Sequence, residues 1–169
     1  MTITGALDGP DLVLRRIVPA SRARIWRHLA DSDRLAAWYG TFDGDPATGV
    51  VEVTMTAEPG EAATSSFAIH ACEPERLLTV SSSMGEQVWK LSVELEGGSD
   101  GAGGAAGDLS HLALRHHDVP ADMVDHIGPG WEWYLDRLVG AVTGTDVPGM
   151  DVWDAQYMRL APEYASLGG

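Results

Sequence analysis

Residues 125–142 read DHIGPGWEWYLDRLVGAV, and the way this stretch is read decides the fold. Met123, Ile127, Trp131, Tyr134, Leu135, Leu138, Val139 and Val142 recur at the 3.6-residue period of an amphipathic helix. Pro120 is placed to be its first residue, and Gly144 and Pro148 to close it. Yet Gly128, Pro129 and Gly130 stand inside the run. Pro129 has no N–H to give the carbonyl of Asp125, and each glycine costs about 1 kcal/mol in a helix interior. The sequence therefore predicts a kink, or a short helix followed by a second one starting near Gly130. Such a break would either fit the helix to a curved sheet or free the segment before Trp131 as a lid, and both readings stay open.

A long helix with one apolar face needs a surface to cover, and the upstream sequence supplies one. DLVLRRIV (11–18) reads as a strand stopped by Pro19. Ser21 can cap a helix carrying Ile25, Trp26 and Leu29, and Asp31 or Ser32 can cap a second short helix ending near Trp38, with Gly40 as the stop. From residue 49 the period becomes two. Val51, Val53 and Met55 share one face of GVVEVTMT, and Phe67, Ile69 and Ala71 share one face of SSFAIHACEP (65–74). RLLTVSSS (76–83), EQVWKLSVEL (86–95) and DLSHLALRHH (108–117) follow as further strands. Alternation of this kind describes an antiparallel sheet with one buried side. The Gly-, Ala- and Ser-rich connector 97–107 reads as a flexible hairpin loop.

This element order, with particular residues in place, resembles the SRPBCC or START-like superfamily, whose fold is called a helix-grip. The nearest branch is that of homologues of the activator of heat-shock-protein ATPase. The resemblance rests on Pro19, Ala20 and Ser21 with Ile25 and Trp26, on Asp31 to Leu35 with Trp38 and Tyr39, and on the turn Glu73, Pro74, Arg76, Leu77. It continues through Leu112, Leu114 and His116 to Gly130, Trp131, Leu135 and Leu138. It implies an α+β domain in which a curved antiparallel sheet of about six to seven strands wraps a long C-terminal helix, with two short helices after the first strand. A START-like domain would span 11–144, after a flexible leader at 1–10. A tail at 145–169 would pack on the domain or a partner subunit. The resemblance further implies a cavity between sheet and helix. Relatives use such a cavity for lipids, sterols, polyketides or plant hormones, some as cyclases or aromatases, and others assist a chaperone in the stress response.

Composition narrows these options. The net charge is −14, and six of the eleven basic residues fall within 1–34, leaving the rest of the chain at −16. Nucleic acid and anionic membrane surfaces would be repelled by most of such a molecule. No apolar run approaches the roughly 20 residues that span a bilayer, so membrane insertion is not expected. With one cysteine, Cys72, and no basic, apolar leader, a cytoplasmic location is the expectation.

Six tryptophans in 169 residues are many, and several fall on inward faces of the expected elements. The cavity wall is accordingly expected to comprise Trp38, Tyr39, Met55, Phe67, Ser82, Trp89, Leu91, Leu112, Leu114, His116, Ile127 and Trp131. Tyr39, Ser82 and His116 are the groups suited to orient a ligand. Glu132 and Asp136 are expected on the solvent side of the helix, and the arginines of 15–34 on a solvated face. Inward positions otherwise carry no carboxylate–histidine pair, no G-x-S-x-G turn and no phosphate loop. Arg115, His116 and His117 alternate across a strand, so they form no metal site. The expectation is therefore a small hydrophobic or aromatic ligand, with no catalytic residues, cofactor or metal. A polyketide-type cyclase, a chaperone partner and a homodimer stand as alternatives.

Overall fold

The computed structural model describes residues 1–98 and 108–168. Eight strands form one antiparallel sheet: β1 Gly5–Asp8, β2 Asp11–Val18, β3 Gly40–Asp43, β4 Val50–Met55, β5 Ala63–Glu73, β6 Leu77–Met84, β7 Gln87–Gly97 and β8 Ser110–His117. Their order across the curved sheet is β1-β2-β8-β7-β6-β5-β4-β3. Helices α1 (Arg22–Ala30) and α2 (Ser32–Leu35) join β2 to β3, and α3 (Val124–Thr143) lies against the sheet. This is the helix-grip fold. The Ser21 hydroxyl accepts from the Arg24 N–H to start α1, and the Asp31 carboxylate accepts from the N–H groups of Asp33 and Arg34 to start α2.

The sheet has eight strands where six to seven were expected. The two additional ones are its edges, β1 and β3, each four residues long. The supposed leader is therefore part of the fold: Gly5–Asp8 pairs with Asp11–Leu14, and Val119 donates to the carbonyl of Pro10. In β5 the pairing with β6 shifts between Ile69 and Ala71, a bulge that inserts His70. Inward parity changes there. Cys72, rather than Ala71, shares the face of Phe67 and Ile69, at its exposed end. The connector 97–107 lies almost wholly outside the described residues.

Helix α3 runs as one helix through Gly128-Pro129-Gly130, which excludes the expected alternative of two separate helices. Its buried residues are distributed all round the axis. Trp131, Tyr134, Leu135 and Leu138 face the sheet and the interior, while Gly128, Glu132 and Trp133 are covered from behind. The cover is the tail, a succession of helical turns from Met150 ending in α4 (Ala161–Ala165). It packs on the back of α3, not on the outer face of the sheet, and buries Tyr157, Leu160 and Tyr164. A Cβ on Gly128 would stand 2.4 Å from the Tyr164 ring, and one on Gly5 would stand 2.5 Å from its hydroxyl. Tyr164 is thus wedged between β1 and α3 at two positions that admit only glycine.

The same tail buries charge. Glu132 is 2% exposed and accepts from the Thr4 N–H at 2.6 Å, the Tyr164 hydroxyl at 2.5 Å and the Arg16 guanidinium at 2.6 Å. Arg16 also pairs with Asp136 at 2.9 Å, and the Tyr157 hydroxyl donates to Asp136 at 2.9 Å. Glu132 and Asp136 therefore do not lie on a free solvent face, nor is Arg16 a solvated surface arginine. Burial alone would raise the Glu132 pKa. The Thr4 N–H, the Tyr164 hydroxyl and Arg16 outweigh it and hold the carboxyl below the usual range. None of the described helices is long and apolar enough to cross a membrane.

Candidate functional site

The buried apolar residues form two clusters rather than one. A large cluster joins β2, β7, β8, α1, α3 and the tail, and a small one holds Val51, Val53 and Phe67 on β4 and β5. The space between them is not filled. It forms two adjoining compartments that share Tyr39, Phe67, Leu91 and Trp131 in their walls. The inner compartment, ≈ 160 Å³, is bounded by α1, α2 and the strands β3 to β8, through side chains such as Trp26, Leu35, Val80 and Leu114, and its wall includes the exposed residues Ala30, Pro46 and Cys72. The outer one, ≈ 540 Å³, lies beneath α3 and reaches the surface between the β4–β5 loop and the start of that helix.

The fold places the expected residues as follows. Trp38 and Leu114 line the inner compartment, and Met55, Ser82, Trp89 and Ile127 line the outer. Tyr39, Phe67, Leu91 and Trp131 line both. Trp89 and Trp131 stand with ring centroids 6.4 Å apart, and Trp131 continues to Tyr134 at 5.8 Å and Tyr39 beyond it at 5.1 Å. These contacts form a continuous aromatic wall. Trp38 is fixed by its indole N–H, which donates to the carbonyl of His28 at 2.8 Å.

Two expected residues lie elsewhere. Leu112 is 1% exposed within the core and lines neither compartment. His116 does not face the cavity; it stands behind the aromatic wall. Its Nδ1 accepts from the Trp131 indole N–H at 3.1 Å, and its ring lies 4.7 Å from that of Trp89. The accepting Nδ1 places the proton of the neutral ring on Nε2. Burial, reinforced by the neighbouring His117, pushes His116 down to about 4, so the ring is neutral at physiological pH. His116 is a buttress that sets the angle of two cavity tryptophans.

The polar part of the outer wall was not read from the sequence, apart from Tyr39 and Ser82. The Tyr134 hydroxyl donates to Glu58 at 2.7 Å, and Glu61 and His126 stand near the mouth. Burial first, then the Glu58 carboxylate, raises the Tyr134 hydroxyl pKa, and the same two causes push Tyr39 up to about 12. Both phenols stay protonated. Ser82, between Phe67 and Trp89 across the neighbouring strands, is 5% exposed and its hydroxyl has no hydrogen-bond partner. Tail residue Trp153 closes one side of the outer compartment. Tyr134 was legible as an inward helix position. Glu58, Glu61 and Trp153 lie in a loop and a tail, where no periodicity marks a facing direction.

With this geometry in place, comparison with known proteins identifies the lineage. Residues 19–143 match the model of the family described as activator of Hsp90 ATPase homolog 1-like protein, and the chain belongs to that family. None of the curated proteins matches it. Among solved structures, CalU16 from Micromonospora echinospora is similar with a TM-score of 0.69 and 24% identity, over 94% of this chain and 88% of that one. The protein encoded by gene BPP1335 of Bordetella parapertussis is similar with a TM-score of 0.70 and 25% identity, over 96% and 95% of the two chains. DynU16, a protein of the dynemicin biosynthetic locus, has a TM-score of 0.63 and 20% identity, over 82% of this chain and 49% of that one.

Proposed function

We propose that this family member binds a small hydrophobic, aromatic molecule in the two-compartment cavity between the sheet and α3. The observation that carries the reading is the split core. A chain that fills the back of α3 so closely with Tyr164 leaves space in front of it. An apolar cleft the size of the inner compartment accepts a ring-sized guest, and the outer compartment is of the size that encloses an ordinary ligand. Trp89, Trp131, Tyr39 and Phe67 supply flat apolar faces, and Ser82 with the Tyr134–Glu58 pair supplies the few polar contacts that orient a guest.

Aromatic side chains gather at the cavity rather than on an outer surface, which favours a small molecule over a chaperone partner. A structural neighbour encoded in a biosynthetic locus supports the same preference. The Tyr134–Glu58 pair also supports a second reading, a cyclase-like step in which the Glu58 carboxylate, held by the Tyr134 hydroxyl, takes a proton from a bound substrate. Native mass spectrometry of gently purified protein, followed by denaturation and extraction, tests both. The proposal expects a hydrophobic adduct that leaves on denaturation with its mass unchanged by incubation; a mass change would favour the cyclase. A bare chain whose tryptophan fluorescence ignores a panel of neutral aromatics and lipids would overturn the proposal.

A further inference from the structure

The polar groups of the outer compartment constrain the chemistry of the guest. The Ser82 side chain lines this compartment, but its hydroxyl is covered and without a partner. A turn about its Cα–Cβ bond would bring that hydroxyl to a hydroxyl, carbonyl or amine on the guest and supply the missing partner. At the mouth stand Glu58 and Glu61, both exposed, with His126 across from them. No lysine or arginine is among the described residues lining this compartment.

A ligand carboxylate or phosphate at that mouth would lie beside two carboxylates on a chain of net charge −14, with no cation to receive it. An ammonium would meet the opposite field. Building on the cavity reading above, we infer that the guest is an amphipathic aromatic molecule with a hydrogen-bonding substituent within reach of the Ser82 side chain. Its outer end is cationic or neutral and never anionic. Free fatty acids and aromatic acids are thereby disfavoured, and aromatic amines and amino-substituted polycycles are favoured.

A matched probe series on the full chain tests this: 1-pyrenemethylamine, 1-pyrenemethanol, 1-pyrenecarboxylate and 1-methylpyrene, with binding followed by energy transfer from tryptophan at pH 7.5. The amine is expected to bind at least about fivefold more tightly than the alcohol, and the carboxylate more weakly than either. In Glu58→Gln/Glu61→Gln the amine's advantage over the alcohol should collapse. Ser82→Ala should weaken the alcohol roughly twofold to tenfold relative to 1-methylpyrene. Retained 1-methylpyrene binding also certifies that each variant is folded. A carboxylate that binds as well as the amine, or an amine preference that survives the double substitution, would overturn the charge inference and leave the cavity reading standing. Failure of all four probes to bind would overturn both.

Discussion

Glycine 128 and glycine 130 look alike in the sequence and do different things. At Gly128 an added Cβ meets the Tyr164 ring at 2.4 Å, and at Gly130 it meets nothing within 4 Å. Gly128→Ala should therefore destabilise the protein by about 1–3 kcal/mol. Gly130→Ala should be neutral, or stabilising by up to about 1 kcal/mol through helix propensity. Urea unfolding of the two variants checks the pair, and the Gly128→Ala penalty should shrink in a Tyr164→Ala background. Glu132 supplies a second test at this scale. Its folded pKa lies below its ordinary value, so the stability it contributes is present above about pH 5 and is lost as pH falls through the lowered value. Glu132→Gln should cost roughly 2–4 kcal/mol at pH 7, and the gap to the wild type should narrow between about pH 5 and pH 3 in denaturant titrations. One partner of this network carried a sequence signal, although the arginines of 15–34 were expected on a solvated face. Strand alternation puts Arg16 on the face of Leu12, Leu14 and Val18, where a charge requires an opposite charge. Glu132 carried none, because its cover comes from Tyr164, 32 residues later.

At the scale of elements, long period-two runs were readable because burial on one side fixes side-chain identity at every second position. β1 and β3 escaped because four residues carry too little alternation to distinguish from a loop. The bulge at His70 escaped because both parities of ACE are plausible at a strand end. Of the two readings of the central helix, a kink or two separate helices, the second is excluded, and the helix starts at Val124 rather than Pro120. Gly-Pro-Gly weakens an isolated helix, whereas here the tail, packed behind it, overrides local propensity. The tail is therefore a structural element of the domain. Removal of residues 150–169 would uncover Trp133, leave Glu132 without its Tyr164 contact and take Trp153 from the cavity wall. Such a chain should melt at least about 10 °C lower. Tyr164→Phe, which keeps the ring and removes only the hydrogen bond, should cost about 1–2 kcal/mol. Calorimetry on both distinguishes a locked tail from an appendage, which would leave the melting temperature unchanged.

The whole molecule is a sheet packed well on one part of α3 and incompletely on another, with the gap lined by aromatic rings. Most of the cavity wall was legible, because inward parity on β4 to β8 and the face of α3 name it directly. Its polar mouth was not, since Glu58, Glu61 and Trp153 lie where no period applies. If the gap is kept for a guest, filling it should exchange function for stability. Leu91→Phe, at the junction of the two compartments, should raise stability by about 1 kcal/mol and weaken 1-pyrenemethanol at least about tenfold. Thermal melts and energy-transfer titrations of the same preparation would show the exchange. The most direct measurement is a nitrogen–proton spectrum of the six indole N–H groups during titration with 1-pyrenemethanol. The cavity account predicts that Trp89 and Trp131 move, while Trp133, whose N–H donates to the carbonyl of Gly149 behind α3, stays in place. Unmoved Trp89 and Trp131 signals at saturating probe would contradict it.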